Sequence, residues 1–183
     1  MTVRHFTTPL EIKNYGADGL FYGYASVFNK IDSHDEAVAP GAFRRTLANW
    51  RAEARMPAML WMHDATLPVG VWLGLTEDKE GLAVEGRLAL RTQRGSEAYE
   101  LLKMGAVTGL SIGYRVAAAR ADARRKLRTL LDIDLFEISL VTFPANDAAR
   151  VTRVKTPLPV SGNATRAIVA PLYRAAEALR THI

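Results

Sequence analysis

VTGLSIGYRV (Val107–Val116) and LRTLLDIDLFEISLVTF (Leu127–Phe143) decide how this chain is read. Both alternate with the period of two that sends successive side chains to opposite faces of a strand. From Leu135 to Val141 apolar residues occupy both alternating faces, so this stretch is expected to be covered on both sides. Between the two strands lies a connection rich in arginine.

Working outward, Leu20–Phe28 alternates in the same way, and Val3–Lys13 before it, across the turn Tyr15–Gly19, completes a hairpin. Pro40 opens a helix on which Phe43, Leu47 and Trp50 share one face, ending near Met56–Pro57. Ala58–Met62, Val69–Thr76 and Leu82–Leu90 read as strands, with Glu77–Gly81 as the turn between the last two. A second helix is predicted over Ser96–Met104, with Gly105 at its left-handed end. Many strands, tight turns and only two substantial helices predict a mainly β fold (α+β content), an antiparallel sheet closed into a barrel and flanked by a few helices. Residues 1–154 form the domain. Residues 155–183 are read as a linker with the Pro, Gly and Ser content of Thr156–Asn163, followed by a tail with a short helix from Pro171.

A length of 183 residues, 49% of them hydrophobic, is that of one globular domain with a substantial core. No run reaches the roughly 18 to 20 apolar residues of a membrane span, and the N-terminus lacks the pattern of a secretory signal, so a soluble cytoplasmic protein is expected. The absence of cysteine excludes disulfides, a thiolate nucleophile and a zinc ribbon, so any nucleophile is an oxygen or an amine. Lys+Arg number 24 against 19 Asp+Glu, a formal net charge of +5. Six basic residues and one acid between Arg115 and Arg128 account for that whole excess. This span from Val116 onward has no aromatic on which a base could stack, which argues against nucleic acid and for a solvated or substrate-contacting loop.

Three residues stand out chemically. His63 ends the apolar run Met59–Met62 and opens a turn, placing an imidazole at a strand's mouth, where it is either satisfied by backbone or poised for chemistry. His5, His34 and His182 lie in contexts that say little. No second histidine has zinc-ligand spacing to His63, so a metal site is not expected. Ser111 stands between Gly109 and Gly113, all three on one strand face, which either clears the surface for a substrate backbone or marks close packing against a neighbour. The G-x-S-x-G spacing does not make a nucleophile elbow, which needs a strand-to-helix turn where this sequence runs on as a strand. Glu137 is expected to be partly buried whichever way it points and therefore needs a partner, an arginine or an imidazole.

Five ordered segments, Gly23–Asn29, Val38–Phe43, Leu60–Asp64, Gly109–Tyr114 and Glu137–Asn146, together resemble the prohead serine proteases of tailed bacteriophages over about residues 3–154. The resemblance implies a fold similar to the herpesvirus assembly proteases and a serine endopeptidase of capsid maturation. Such an enzyme cleaves scaffold, or the scaffolding extension of the major capsid protein, and also itself. It implies Ser111 as nucleophile and His63 as general base. Where the herpesvirus relatives carry a second histidine, this chain has Glu137, 26 residues after Ser111, as the orienting carboxylate. Asp64 is the rival for that role, disfavoured because adjacent strand residues point to opposite faces. Ser139 is the substitute nucleophile, and the turn at Ala145 and Asn146 is the expected source of oxyanion-hole N–H groups. No cofactor is expected. The expected partners are the capsid protein or its scaffolding domain, a scaffold protein, the portal and further copies of the chain, with neither nucleic acid nor membrane. The expected location is the host bacterial cytoplasm, inside the prohead. The alternative is a catalytically silent assembly protein of the same fold.

Overall fold

The computed structural model describes residues 19–122, 124 and 126–154. Its elements run β1 (Leu20–Val27), β2 (Glu36–Val38), α1 (Arg44–Ala52), β3 (Ala58–Trp61), β4 (Asp64–Glu77), β5 (Gly81–Leu88), α2 (Gln93–Lys103), β6 (Gly109–Asp122), β7 (Leu127–Val141) and β8 (Val151–Val154). The expected strand Val3–Lys13, His5, the linker Thr156–Asn163, the helix from Pro171 and His182 lie outside the described residues.

The strand with apolar residues on both faces is the centre of the sheet. β6 pairs antiparallel along one edge of β7 from Gly109↔Val141 to Asp122↔Leu127. The other edge of β7 is shared end to end by two parallel partners, β2 at Arg128–Leu130 and β3 at Glu137–Leu140. From β3 the sheet continues antiparallel through β4, β5, β1 and β8. Paired on both edges, β7 buries Leu130, Ile133, Leu135, Ile138 and Leu140 at no more than 1% exposure, while Leu131 (42%) and Phe136 (49%) stay exposed, so its coverage is not complete on both faces as the apolar run suggested. Phe21 of β1 meets Trp72 of β4 edge-on at 5.6 Å within the same core.

The helices cover the sheet by local chemistry legible in their residues. On α1, Leu47 packs inward, Thr46 Oγ1 accepts the N–H of Leu135 at 3.1 Å, and the Trp50 indole donates to the Leu135 carbonyl at 3.1 Å. On α2, Ala98, Tyr99 and Leu102 are buried, and Gly105 takes the left-handed conformation (φ +73°) that ends the helix.

The sheet is open and mixed rather than a closed antiparallel barrel. Among the described residues β6 and β8 are joined at the bridge Gly109↔Arg150 and form no continuous ladder, and two of the sheet's pairings are parallel. Parallel pairing leaves no mark on alternation, and the β3–β7 pair joins segments more than seventy residues apart, so neither could be read locally. The short strands β2 and β8 went unseen for lack of length. α2 begins at Gln93, not Ser96, because Thr92 Oγ1 accepts the Gly95 N–H at 3.1 Å and Gly95 packs against the Ala89 backbone where no Cβ would fit. α1 stops at Ala52, short of Met56–Pro57, with Ala54 already left-handed. The basic connection is not a loop but the far end of the β6–β7 hairpin.

Leu140 has no exposure and lies between β3 and β6, so Leu140→Ala is expected to destabilise the protein by about 2–5 kcal/mol in denaturant unfolding.

Candidate active site

The site forms where β3 and β6 flank the C-terminal half of β7. β3 hands over to β4 through a two-residue turn, Met62-His63, closed by the pair Trp61↔Asp64. Both turn residues are left-handed (φ 51° and 63°), as a type I′ hairpin turn demands. For side chains as large as these the conformation costs about 1–2 kcal/mol each, and it persists because the turn is anchored to β7. The Met62 N–H donates to the Leu140 carbonyl at 3.0 Å, and the His63 N–H donates to Ser139 Oγ at 3.1 Å.

The turn lifts the His63 ring out of the strand plane and onto Glu137, with Nδ1 2.6 Å from Oε1. Glu137 is held by a second bond, from the Ser139 hydroxyl to Oε2 at 2.6 Å. The Ser139 oxygen thus stands between two groups, accepting from the His63 backbone and donating to the Glu137 carboxylate. The histidine side chain remains 44% exposed while that of Glu137 is 13% exposed, so the carboxylate sits beneath the ring and the ring faces solvent. A carboxylate at Nδ1 places the proton there and leaves the Nε2 lone pair as the one that can accept a proton.

Asp64 does not share in this. Its Oδ1 accepts from the Thr66 hydroxyl at 2.6 Å and the Thr66 N–H at 2.8 Å, which together hold its carboxyl below the usual carboxylate range.

Ser111 lies opposite Ser139 and Gly113 opposite Glu137 in the β6–β7 register. A Cβ at Gly113 would stand inside the Glu137 carboxylate, and one at Gly109 would meet the Val141 carbonyl and the Pro144 ring. Of the two readings of the glycines, close packing is the one realised: they make room for β7 side chains and backbone, rather than for a substrate. Ser139 has no exposure and is excluded as a nucleophile.

Ser111 and His63 open onto one cleft of about 280 Å³, with no hydrogen bond joining them. Five consecutive residues of β6, Leu110–Tyr114, line it, and since neighbours point to opposite faces the cleft must run along the free edge of the strand. Among the described residues no strand pairs with that edge beyond the bridge at Gly109. Ala145 and Asn146 form the end of the cleft, and neither of their N–H groups finds an acceptor among the described residues. Asn146 is fixed by its side-chain amide, which donates to the Val27 carbonyl at 2.8 Å.

The facing wall was missed in the sequence. His34, set aside as uninformative, lines the cleft with Lys30, Asp32 and Glu36. Asp32 Oδ1 accepts the N–H groups of His34 (2.8 Å) and Glu36 (2.9 Å), which folds this loop back toward β7. Glu36 in turn accepts from the Tyr114 hydroxyl at 2.6 Å and from Arg128 at 3.0 Å. Burial, then that bond to Glu36, pushes the Tyr114 hydroxyl well above the ordinary tyrosine range, so it stays protonated as a donor. Ser139 carried the one available signal, a hydroxyl in an otherwise apolar buried run, which requires partners.

The arrangement places a hydroxyl, an imidazole oriented by a buried carboxylate, and a pair of backbone donors around one cleft, which are the parts of acyl transfer through an activated serine. Comparison with known proteins agrees. The chain is 38% identical to the prohead protease of Enterobacteria phage HK97 over 151 residues, covering 81% of this chain and 66% of that one, just under two thirds of the relative's length. It is 30% identical over 112 residues to a capsid polyprotein of Pseudomonas phage PAJU2, covering 57% of this chain and 17% of that one. The bacteriophage T4 capsid assembly protease shares its fold, with a TM-score of 0.53 at 7% identity over 67% of this chain and 82% of that one. The model of one family matches residues 8–159, and the chain belongs to that family, the caudovirus prohead serine proteases.

Proposed function

We propose that this chain is a serine endopeptidase of phage capsid maturation. In this reading it acts inside the prohead, within the host cell, on scaffold or on the scaffolding extension of the major capsid protein, and on further copies of itself. The observation that carries it is the His63–Glu137 pair at 2.6 Å in the cleft that Ser111 lines. The likeness of the PAJU2 capsid polyprotein to this chain supports a capsid protein as partner. The catalytically silent alternative has no specific observation in its favour, since such a protein has no need of an imidazole and a buried carboxylate in register.

The Leu110 N–H is taken by the Ala149 carbonyl at 3.0 Å, but beyond it the edge of β6 is unpaired among the described residues, so an extended peptide can add there as a strand and present its scissile carbonyl to the hydroxyl. His63 Nε2 takes the Ser111 proton as Oγ bonds to the carbonyl carbon. The oxygen, now negative, is received by the N–H groups of Ala145 and Asn146. The imidazolium, its charge balanced by Glu137, protonates the leaving amine as the C–N bond breaks. Water then repeats the sequence on the acyl-enzyme, with His63 as base, and restores Ser111. Ser139 acts at one remove, holding both the Glu137 carboxylate and the backbone of the turn that carries His63.

Ser111→Ala is expected to abolish processing of co-expressed capsid protein, read by mass, while unfolding stability changes by no more than about 0.5 kcal/mol. Full processing by that variant would remove Ser111 from the mechanism. Glu137→Gln keeps the shape and removes the charge, and should cost roughly 10²–10⁴ in rate, by analogy with other triads. Asp64→Asn, whose carboxylate serves only its own turn, should cost under about tenfold. If both variants fold and their order is reversed, Asp64 is the orienting group. Ser139→Ala leaves the His63 N–H and one oxygen of Glu137 without a partner, so it should lose about 1–3 kcal/mol of stability in thermal melts and also part of the rate.

A further inference from the structure

The proposed chemistry uses only the first residues of β6, yet the strand continues to Asp122. Its far half and the start of β7 form a ribbon on which every β6 residue from Ala117 to Asp122 is exposed. β2 backs the start of β7 at Arg128–Leu130, so the ribbon is anchored on that side, and it carries the densest run of basic residues in the sequence. Arg115, near its base, and Arg128, near its tip, are committed to Asp134 (3.2 Å) and Glu36 (3.0 Å). Arg120 near the end of β6, and Arg124 and Lys126 in the turn beyond it, are exposed and form no ion pair with an acid among the described residues. Asp122 Oδ1 accepts the Arg124 backbone N–H at 3.0 Å. These cations, at the end of the strand whose free edge lines the cleft and in the turn beyond it, lie where a bound peptide would run.

We propose that this ribbon is an exosite that recognises an acidic segment of the protein substrate, at a distance from the scissile bond. The proposal rests on the cleft being the site of peptide cleavage. Charge complementarity selects an acidic occupant, and the strand's continuity with Ser111 selects an extended polypeptide, which can pair with the same edge from the cleft to the ribbon. Ser111 and Arg120 are separated by nine residues of one strand, about 30 Å at the rise of an extended chain. The acidic segment is therefore some nine or more residues from the bond that is cut. Nucleic acid is the weaker fit, because no aromatic stands among these cations to stack on a base.

The test uses the full chain and a fluorogenic peptide containing the cleavage site, extended by ten residues of alternating Glu and Ser or of Gly and Ser. At low salt the Glu-Ser peptide should be cleaved with roughly tenfold higher kcat/KM, the gain lying in KM and fading as salt screens it. The triple variant Arg120→Gln, Arg124→Gln, Lys126→Gln should lose that advantage and cleave the Gly-Ser peptide at the wild-type rate. A variant with Arg120→Glu and Lys126→Glu should instead prefer a Lys-Ser extension, an outcome that misfolding cannot produce. Equal cleavage of the two extensions by the wild type, or an advantage that survives the triple variant, overturns the proposal. So does ribbon-dependent binding of a DNA duplex at physiological salt with no gain from Glu-Ser. If the wild type cleaves neither peptide, the protease reading fails. Anisotropy of a labelled Glu-Ser decapeptide on Ser111→Ala then decides the exosite independently, binding that is lost in the triple variant supporting it and no binding overturning it.

Discussion

The pairing of β7 on both edges is the constraint on which the rest of this structure depends. β6 takes one edge and β3 takes the other, so the C-terminal half of β7 brings together two segments that are far apart in the chain. Glu137 and Ser139 lie on the face of β7 that both neighbours share. From β3 comes the turn that carries His63, and from β6 comes Ser111. Ser111, Glu137 and Ser139 are positioned by backbone ladders, and His63 by a two-residue turn bonded to β7, which together give a rigid placement.

That rigidity has a local cost. Met62 and His63 are held in a backbone conformation that suits glycine or asparagine, Glu137 is mostly buried, and Ser139 is buried entirely. A set of mutual hydrogen bonds offsets the cost. The Ser139 hydroxyl satisfies the His63 N–H and one oxygen of Glu137, while His63 Nδ1 satisfies the other. Such a network is stable only when complete, because a buried group left unpaired loses its hydration with nothing in return. Gly113 belongs to the same set, since only the absence of a side chain there leaves room for the carboxylate. Orientation of the imidazole and stability of the turn are thus one problem with one solution.

Past the bridge at Gly109, the opposite edge of β6 is unpaired among the described residues. An unpaired edge invites association with other chains. Here the opening is bordered by Lys30, Asp32, His34 and Glu36 and by Ala145 and Asn146, which line the same cleft. The charged ribbon beyond it adds a long-range attraction to a short-range fit, and solvated arginines on an edge also discourage pairing between identical copies.

The sequence by itself determined the strands and helices that carry local periodicity. β1, α1, β3, β5 and the β6–β7 pair were legible because alternation, turn residues and amphipathic spacing act between near neighbours. It also marked Ser111, His63 and Glu137, the last because a carboxylate in a run apolar on both faces needs a partner whatever the fold. Tertiary structure alone decided which partner that was. The contact of His63 with Glu137 and not with Asp64, already favoured by the opposite facing of neighbouring residues, is made through the Met62-His63 turn, whose two left-handed residues no propensity would assign to Met and His. The parallel neighbours of β7, the open edge of β6, the arrival of His34 and Glu36 in the cleft and the packing role of Gly109 and Gly113 are likewise long-range facts. They depend on which distant segments pair, and pairing energy comes from contacts that do not exist until the chain has folded.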